Sequence, residues 1–299
     1  MFIVNHRKFF FWLTGLILVA SIGAIVTWGL PLGIDFTGGS SVQVSYPNER
    51  PSVETVSAQV EEVGLGASSV RPFGENGMSI RTRTMTPGEH TSLLAALSID
   101  EPVEELSFTS VGPSLGGQFT AKALWAIAAV LFAILLYVAY AFRKVSHQVP
   151  SWGYGLVAVL MLIIDIVVPL GFFATYAHFT GAEVDSLFVV AILALLGYVM
   201  NDIIVVFDRV RDHVALNEKE GNKEAFEITV GKSIDETITR SINTSLTTAL
   251  VLVALMYFGA QATRTFALVM LVGVIAGTFS SICRSAPLLI PIARWSAKK

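Results

Sequence analysis

The sequence predicts an α-helical membrane protein with six spans and a small α+β domain inserted between the first and second. Three observations carry this reading. The 299 residues are 53% hydrophobic and only 14% charged, against about 25% charged in an ordinary soluble domain. Six apolar runs recur at 9–32, 123–142, 152–177, 184–206, 242–260 and 266–292. Each reaches the roughly 20 residues that cross a hydrocarbon core about 30 Å thick. The one long polar stretch, 33–121, falls between the first two runs. A mean hydropathy of +0.65 excludes a soluble globule. It also excludes a disordered chain, which needs low hydrophobicity and high net charge. The single cysteine, Cys283, excludes a disulfide framework and a cysteine-rich metal site. A net charge of −3 offers no electrostatic footprint for nucleic acid.

The first run follows His6, Arg7 and Lys8. It is longer than the roughly 7–15 residues of a signal-peptide core, so it reads as an uncleaved signal-anchor helix. The 33–121 stretch then contains no lysine, four arginines and eleven acids, a net charge of 4 − 11 = −7. Arg143 and Lys144 mark the loop 141–151. Arg209, Arg211, Lys219, Lys223, Lys232 and Arg240 mark the loop 207–241, and Arg294, Lys298 and Lys299 the C-terminus. The positive-inside rule places both termini (1–8 and 293–299) and these two loops in the cytoplasm, and 33–121 outside. Residues 122–292 form the five-helix remainder of the bundle.

Within 33–121, Val42, Val44 and Tyr46 alternate with polar residues, as in a half-buried strand. Pro51-Ser52 opens a helical pattern (Val53, Val56, Val60, Val63) that stops at Gly64. Residues 70–73 and 78–84 flank Gly74-Glu75-Asn76-Gly77, a hairpin signal. Thr86-Pro87 starts a second helix bearing Leu93, Leu94 and Leu97. Residues 103–109 form a last strand. The order β-α-β-β-α-β suggests a split, ferredoxin-like module.

Of the 23 acids, only Asp165 and Asp202 fall inside membrane helices; Glu183 and Asp185 sit at an external helix mouth. A carboxylate at that depth costs about 2.5–3.5 kcal/mol even on the mildest insertion scale. Two readings stand: an ion or proton path, or a polar contact between helices. Asp202 lies four residues before Val206, about 6 Å from the inner end of its helix. The next helix runs back outward from Arg240. The two can therefore share a level on neighbouring helices, with Asn201 beside the acid. Thr244, Thr247 and Thr248 follow at helical spacing. An acid, an arginine that biases it and a hydroxyl lining are the parts of a proton relay. A snorkelling inner-interface residue is the other reading of Arg240. Asp165 lies thirteen residues after Trp152, about 20 Å in. Asp208, Arg209 and Arg211 read as a helix-end charge cluster. Gly273 and Gly277 fit a common small-residue packing pattern. The five histidines are scattered. HExxH, GxSxG and GxxxxGK[ST] do not occur, so no enzyme class and no cofactor emerges.

Several stretches together resemble the SecD/SecF family of protein-export membrane proteins. Gly33-Ile34-Asp35-Phe36-Thr37-Gly38-Gly39 resembles its G-[IL]-D-F-x-G-G signature. Ser110-Val111-Gly112-Pro113-Ser114-Leu115-Gly116 resembles its S-[IV]-G-P-x-x-G signature. The stretch from Gly197 through Asn201-Asp202 to Asp208-Arg209-Val210-Arg211 resembles G-Y-x-x-N-D-x-x-V-V-F-D-R-[IV]-R, the form that separates the SecF branch from SecD, whose version is similar to V-D-A-N. Residues 241–248 and 266–289 are similar to the family's fifth and sixth helices, the latter in Gly277-Thr278-Phe279-Ser280-Ser281 and Ala286-Pro287.

The resemblance implies one six-helix half of an RND-type unit in the bacterial inner membrane, paired with a SecD-type subunit. It implies work beside the SecYEG channel, often with YajC, using the proton gradient to assist preprotein translocation and release. It carries an ion-path role to Asp202 and Arg240. The alternative is an RND-type exporter of lipids or small molecules, which would want a larger external domain with a substrate cleft. Two positions depart from the family pattern. Ile203 stands where a hydroxyl residue is common. Arg284 stands where an apolar or small residue is expected and, near the inner end, is read as snorkelling.

Overall fold

A computed structural model describes residues 2–296 apart from 67, 75, 99–101, 144–148 and 223. Lys144, Lys223, Lys298 and Lys299, the acids Asp100 and Glu101, and Glu75 of the hairpin signal lie outside the described residues. The chain divides into two compact units. One comprises Met1–Leu30, Ala126–Ala182 and Leu187–Lys299, the other Pro31–Trp125 and Glu183–Ser186.

In chain order the helices and strands are α1 (Phe2–Asn5), α2 (Arg7–Trp28), α3 (Ile34–Thr37), β1 (Gly39–Ser45), α4 (Val53–Glu62), β2 (Ser69–Phe73), β3 (Gly77–Thr82), α5 (Pro87–Leu97) and β4 (Glu104–Val111). Then come α6 (Pro113–Ala141), α7 (Ser151–Thr180), α8 (Ser186–Glu220), α9 (Phe226–Phe258) and α10 (Gln261–Ser280). A π-helical turn (Ser281–Ser285) continues into α11 (Ala286–Ser296). Among the described residues, six helical stretches are long and apolar enough to cross a membrane, the last running from Thr263 to Trp295. The chain is a multi-pass membrane protein. The stretch 207–241, expected as a loop, is helical except at the connection after Glu220. Its charges pair along and between the two helices: Arg211 with Asp208 at 2.6 Å, and Arg209 with Glu236. Pairing lets a polar segment stay helical beyond the apolar span.

The small unit is a four-stranded antiparallel sheet in the order β2-β3-β1-β4, the arrangement of a split β-α-β-β-α-β module. Alternation along β1 buries Val42 and Val44 opposite Ile80 and Met78 of β3. Val56 and Val60 of α4 and Leu93 and Leu97 of α5 close over that face. Each such side chain contributes roughly 1.5–3 kcal/mol on burial. β4 is an edge strand whose side chains are largely exposed. α3, a single helical turn within the first glycine-rich motif, has no counterpart in the sequence reading.

Both surface helices start at side-chain caps. Ser52 accepts from the Thr55 amide, and Thr86 and Glu89 form a reciprocal capping box. Arg83 lies 2.5 Å from Glu89. Hydrogen bonds from Arg83, then from the Thr86 amide and hydroxyl, pull the Glu89 carboxyl down from its ordinary 4.5 to about 2. A depressed acid stabilises the fold above its unfolded pKa and loses that contribution as pH falls through the folded one. Acidifying from pH 5 to 2 is therefore expected to lower the protection factors, taken relative to the intrinsic exchange rate at each pH, at the start of α5. Glu89→Gln should show lower protection factors at pH 5 and little further change in them on acidification.

In the membrane unit, the polar residues of α2 mark its packing face. Thr14 and Ser21, seven apart, are buried, while Trp12, Val19 and Val26 are exposed. A Cβ on Gly171 of α7 would stand 2.4 Å from Ser21 Cα, so the two backbones touch. Phe142, Tyr154 near the start of α7 and Phe207 of α8 interlock at centroid separations of 4.9–6.1 Å.

Candidate functional site

Asp202 is 7% exposed on α8, and Ser281 donates its hydroxyl to Asp202 Oδ2 at 2.5 Å. Small residues place this pair. A Cβ on Gly273 would lie 2.3 Å from a Leu195 methyl, and one on Gly277 2.4 Å from a Val199 methyl. Leu195, Val199 and Asp202 occupy one stripe of α8, and Gly273, Gly277 and Ser281 occupy its match at four-residue spacing. The glycines let the helices approach until the next pair in the ladder, acid and hydroxyl, comes within hydrogen-bonding distance. The spacing pattern read as weak in sequence is thus what seats the acid. Ile203, the departure beside it, is fully buried.

Asp165 is 1% exposed on α7 and forms an ion pair at 2.7 Å with Arg284, itself 3% exposed. This corrects the expectation for Arg284, which does not snorkel. Its guanidinium also lies 5.4 Å from the Phe279 ring centroid and 3.5 Å from the Ala276 carbonyl. Depth arithmetic alone would have paired the two. Asp165 is about 21 Å along α7 from Ser151, and Arg284 about 18 Å back from Ser296, at 1.5 Å per residue. The two helices run in opposite senses, so these are nearly the same level. Two opposite charges at one depth in an apolar bundle are far better together than apart. The π-helical turn carrying Arg284 has its own cause. Pro287 has no amide to give the Cys283 carbonyl, and the turn widens there.

The structure does not bring the other expected partners to Asp202. Arg240, Asn201, Asn243, Thr244 and Thr247 are exposed, and Thr248 is half-buried. Among the described residues Arg240 forms no ion pair with Asp202. The hydroxyl of Thr244 donates to the Arg240 carbonyl at 2.9 Å, and those of Thr247 and Thr248 to the Thr244 carbonyl at 2.9 and 3.0 Å. Helical phase is the reason. The inward stripe of α9 is Ser241, Ser245 and Leu252, one step round from Arg240 and Thr244. Ser245 receives hydrogen bonds from Tyr198 (3.3 Å) and Thr278 (2.5 Å). Ser241, Ser245 and Ser281 were legible only as adjacent polar residues, because which stripe faces inward depends on the neighbouring helices.

The two glycine motifs meet at the base of the small unit. Gly38 and Gly39 have φ of +74° and +124°, and a Cβ on them would lie 2.7 Å from Pro113 Cα and from the Thr82 carbonyl oxygen. A Cβ on Gly116 would strike the Phe36 carbonyl oxygen at 2.8 Å. Ser40 and Ser110 share a hydrogen bond at 2.8 Å. Gly33 donates its amide to Val184, and the Asp35 carboxylate accepts from the Ser186 amide at 2.8 Å, capping the start of α8. Arg81 pairs with Glu183, with Arg71 3.6 Å away. By contrast, Gly112 and Gly197 meet no neighbour.

Residues 93–295 match the family model described as protein export membrane protein SecD/SecF, C-terminal, and residues 23–46 match the SecD/SecF GG motif. The chain is 36% identical to the protein translocase subunit SecF of Thermobaculum terrenum, over 96% of this chain and 92% of that one. It is 35% identical to the subunit of the same name from Sebaldella termitidis, over 98% and 92%. Among solved structures it is similar to SecDF of Thermus thermophilus, described as a translocon-associated membrane protein. The TM-score is 0.82 at 28% identity, over 98% of this chain and 38% of that chain. A SecDF structure in a super-membrane-facing form matches at 0.68, with 27% identity, over 99% and 40%. This chain therefore spans well under half of the solved SecDF chains. With a family model matched over residues 93–295 and relatives 36% and 35% identical over nearly its whole length, the chain belongs to the SecD/SecF family of protein-export membrane proteins.

Proposed function

We propose that the chain is the SecF-type subunit of a Sec protein translocase, a transport component rather than an enzyme. In this reading it uses the transmembrane proton gradient, with a SecD-type partner beside SecYEG, to assist preprotein translocation and release. The observation that carries the reading is Asp202, buried in the bundle with a hydroxyl donor at 2.5 Å. A buried acid with one polar partner can take and release a proton at modest structural cost, and gaining or losing that charge shifts how the helices prefer to pack. In this reading the external domain moves in response to that shift.

Support for the partner comes from α9. Arg240, Asn243, Thr244 and Thr247 lie on its exposed side, and lipid is a poor neighbour for so polar a stripe. A second six-helix half would cover it, and Arg240 would then act at the shared face. The basic residues Arg7, Arg143, Arg209, Arg211, Lys232 and Arg294 favour cytoplasmic termini in a bacterial inner membrane.

Asp202→Asn tests the reading. The variant should accumulate in the membrane at the normal level, since it keeps the Ser281 contact, yet export should fall to its gradient-independent rate. Unimpaired gradient-dependent export would leave the chain a passive scaffold.

A further inference from the structure

Ser281 has two acceptors and one proton. Its Oγ stands 2.5 Å from Asp202 Oδ2 and 3.0 Å from the Thr278 carbonyl oxygen. A hydroxyl donates to one of them at a time. When Asp202 is ionised it can only accept, so Ser281 donates to it. When Asp202 is protonated, the acid O–H donates to Ser281 Oγ, and the serine proton turns to the Thr278 carbonyl. One proton is added to Asp202 and none leaves Ser281; only the direction of a hydrogen bond reverses.

Ser281 is also the first residue of the π-helical turn, and Arg284 of the same turn is tied to Asp165 on α7. That tie is a single hydrogen bond between two side chains that could meet in a fork. Asp165 Oδ2 and Arg284 Nε are buried without a hydrogen-bond partner among the described residues. The ion pair, with Ser280 just before the turn donating to Met161 Sδ of α7 at 3.7 Å, ties the turn to α7.

We propose that Ser281 registers the charge on Asp202 and passes it to the π-helical turn, and that the Asp165–Arg284 ion pair is the positioning device that holds the turn within reach. The proposal rests on Asp202 being the proton-carrying acid. The other titratable groups on the elements around it are few. Asp165 on α7 and Arg284 on the turn are paired with each other. Cys283 is a buried free thiol. Tyr198 on α8 donates to Ser245, and Arg240 of α9 is on the exposed side. Ser281 is thus the one side chain given to Asp202 as a hydrogen-bond partner among the described residues.

The test is infrared spectroscopy of the chain, labelled with isotopic aspartate and reconstituted in lipid vesicles, across pH. The Asp202 band is the part of the spectrum missing from Asp202→Asn. In the wild type it should interconvert between carboxylate and acid forms. In Ser281→Ala the acid loses its acceptor, so its carbonyl band should move to higher frequency, and Ser281→Thr should restore it. The paired variant Asp165→Leu with Arg284→Met removes both charges without leaving one unpaired. It should move the same band in the same direction, although neither residue touches Asp202. A band that titrates but is indifferent to Ser281→Ala overturns the proposal and leaves the proton reading intact. A band that moves in Ser281→Ala but not in the paired variant overturns the positioning role. A band that never changes with pH overturns the proton reading and the switch with it.

Discussion

Arg284→Ala is expected to remove the folded chain from the membrane. The substitution leaves Asp165 at 1% exposure with no opposite charge. Breaking a buried ion pair by deleting one partner costs about 3–5 kcal/mol, because the remaining charge stays desolvated. That is a large fraction of the roughly 5–15 kcal/mol that holds a typical folded protein together. The substitution also opens a void beside Phe279, whose ring the guanidinium faces. Arg284→Lys should be intermediate, since a point charge on a flexible stem replaces a planar donor held against the ring. Steady-state level in membranes and thermal unfolding in detergent measure the effect. Asp165→Leu combined with Arg284→Met should recover most of the lost stability, because a matched apolar pair leaves no buried charge. Equal loss in the paired variant would show that packing, not charge, is what the site requires.

Gly171→Val should be more damaging than a change at Gly277 or Gly197, the glycines of the α10 and α8 interiors. Any Cβ at this position points at the Ser21 backbone, 2.4 Å from Cα and 2.7 Å from the carbonyl oxygen. Backbone cannot rotate away as a side chain can, so α2 and α7 must separate along the stripe that holds Thr14 and Ser21 inward. Overpacking of this kind costs about 1–3 kcal/mol, and contact with main chain puts this case at the upper end. Gly277→Ala meets the methyl of Val199 instead, which can shift by a rotamer. Its cost should be smaller, and Gly277→Ala with Val199→Ala should recover it. Gly197→Ala meets nothing within 4 Å and should be neutral or slightly stabilising. Unfolding temperatures in that order support backbone contact at Gly171; equal effects at Gly171 and Gly197 would refute it.

Much of the architecture was legible before any coordinates. Apolar runs longer than a bilayer is thick must become helices that satisfy their own backbone, so the six spans follow from composition and length. The small domain was legible for a different reason. Its caps, turn glycines and alternating strands are local signals, and Ser52, Thr86, Val42 and Val44 do what their neighbours in sequence require. The misjudged stretch was 207–241. Charge content argued for a loop, while the ion pairs that let it stay helical, such as Arg209 with Glu236, join residues far apart in sequence.

The candidate site divides along the same line. Sequence alone determined that Asp165 and Asp202 lie within the membrane, because only hydropathy and position in a span enter that inference. It could not decide what faces each acid. Helical phase relative to a neighbour depends on which small residues let two helices touch, and that is a property of the assembled bundle. Gly273 and Gly277 against Leu195 and Val199 gave Asp202 a serine instead of the expected arginine. Arg284, read from its place near a helix end as a residue reaching for water, lies instead at the depth of Asp165. In a medium that solvates neither charge, the two hold each other.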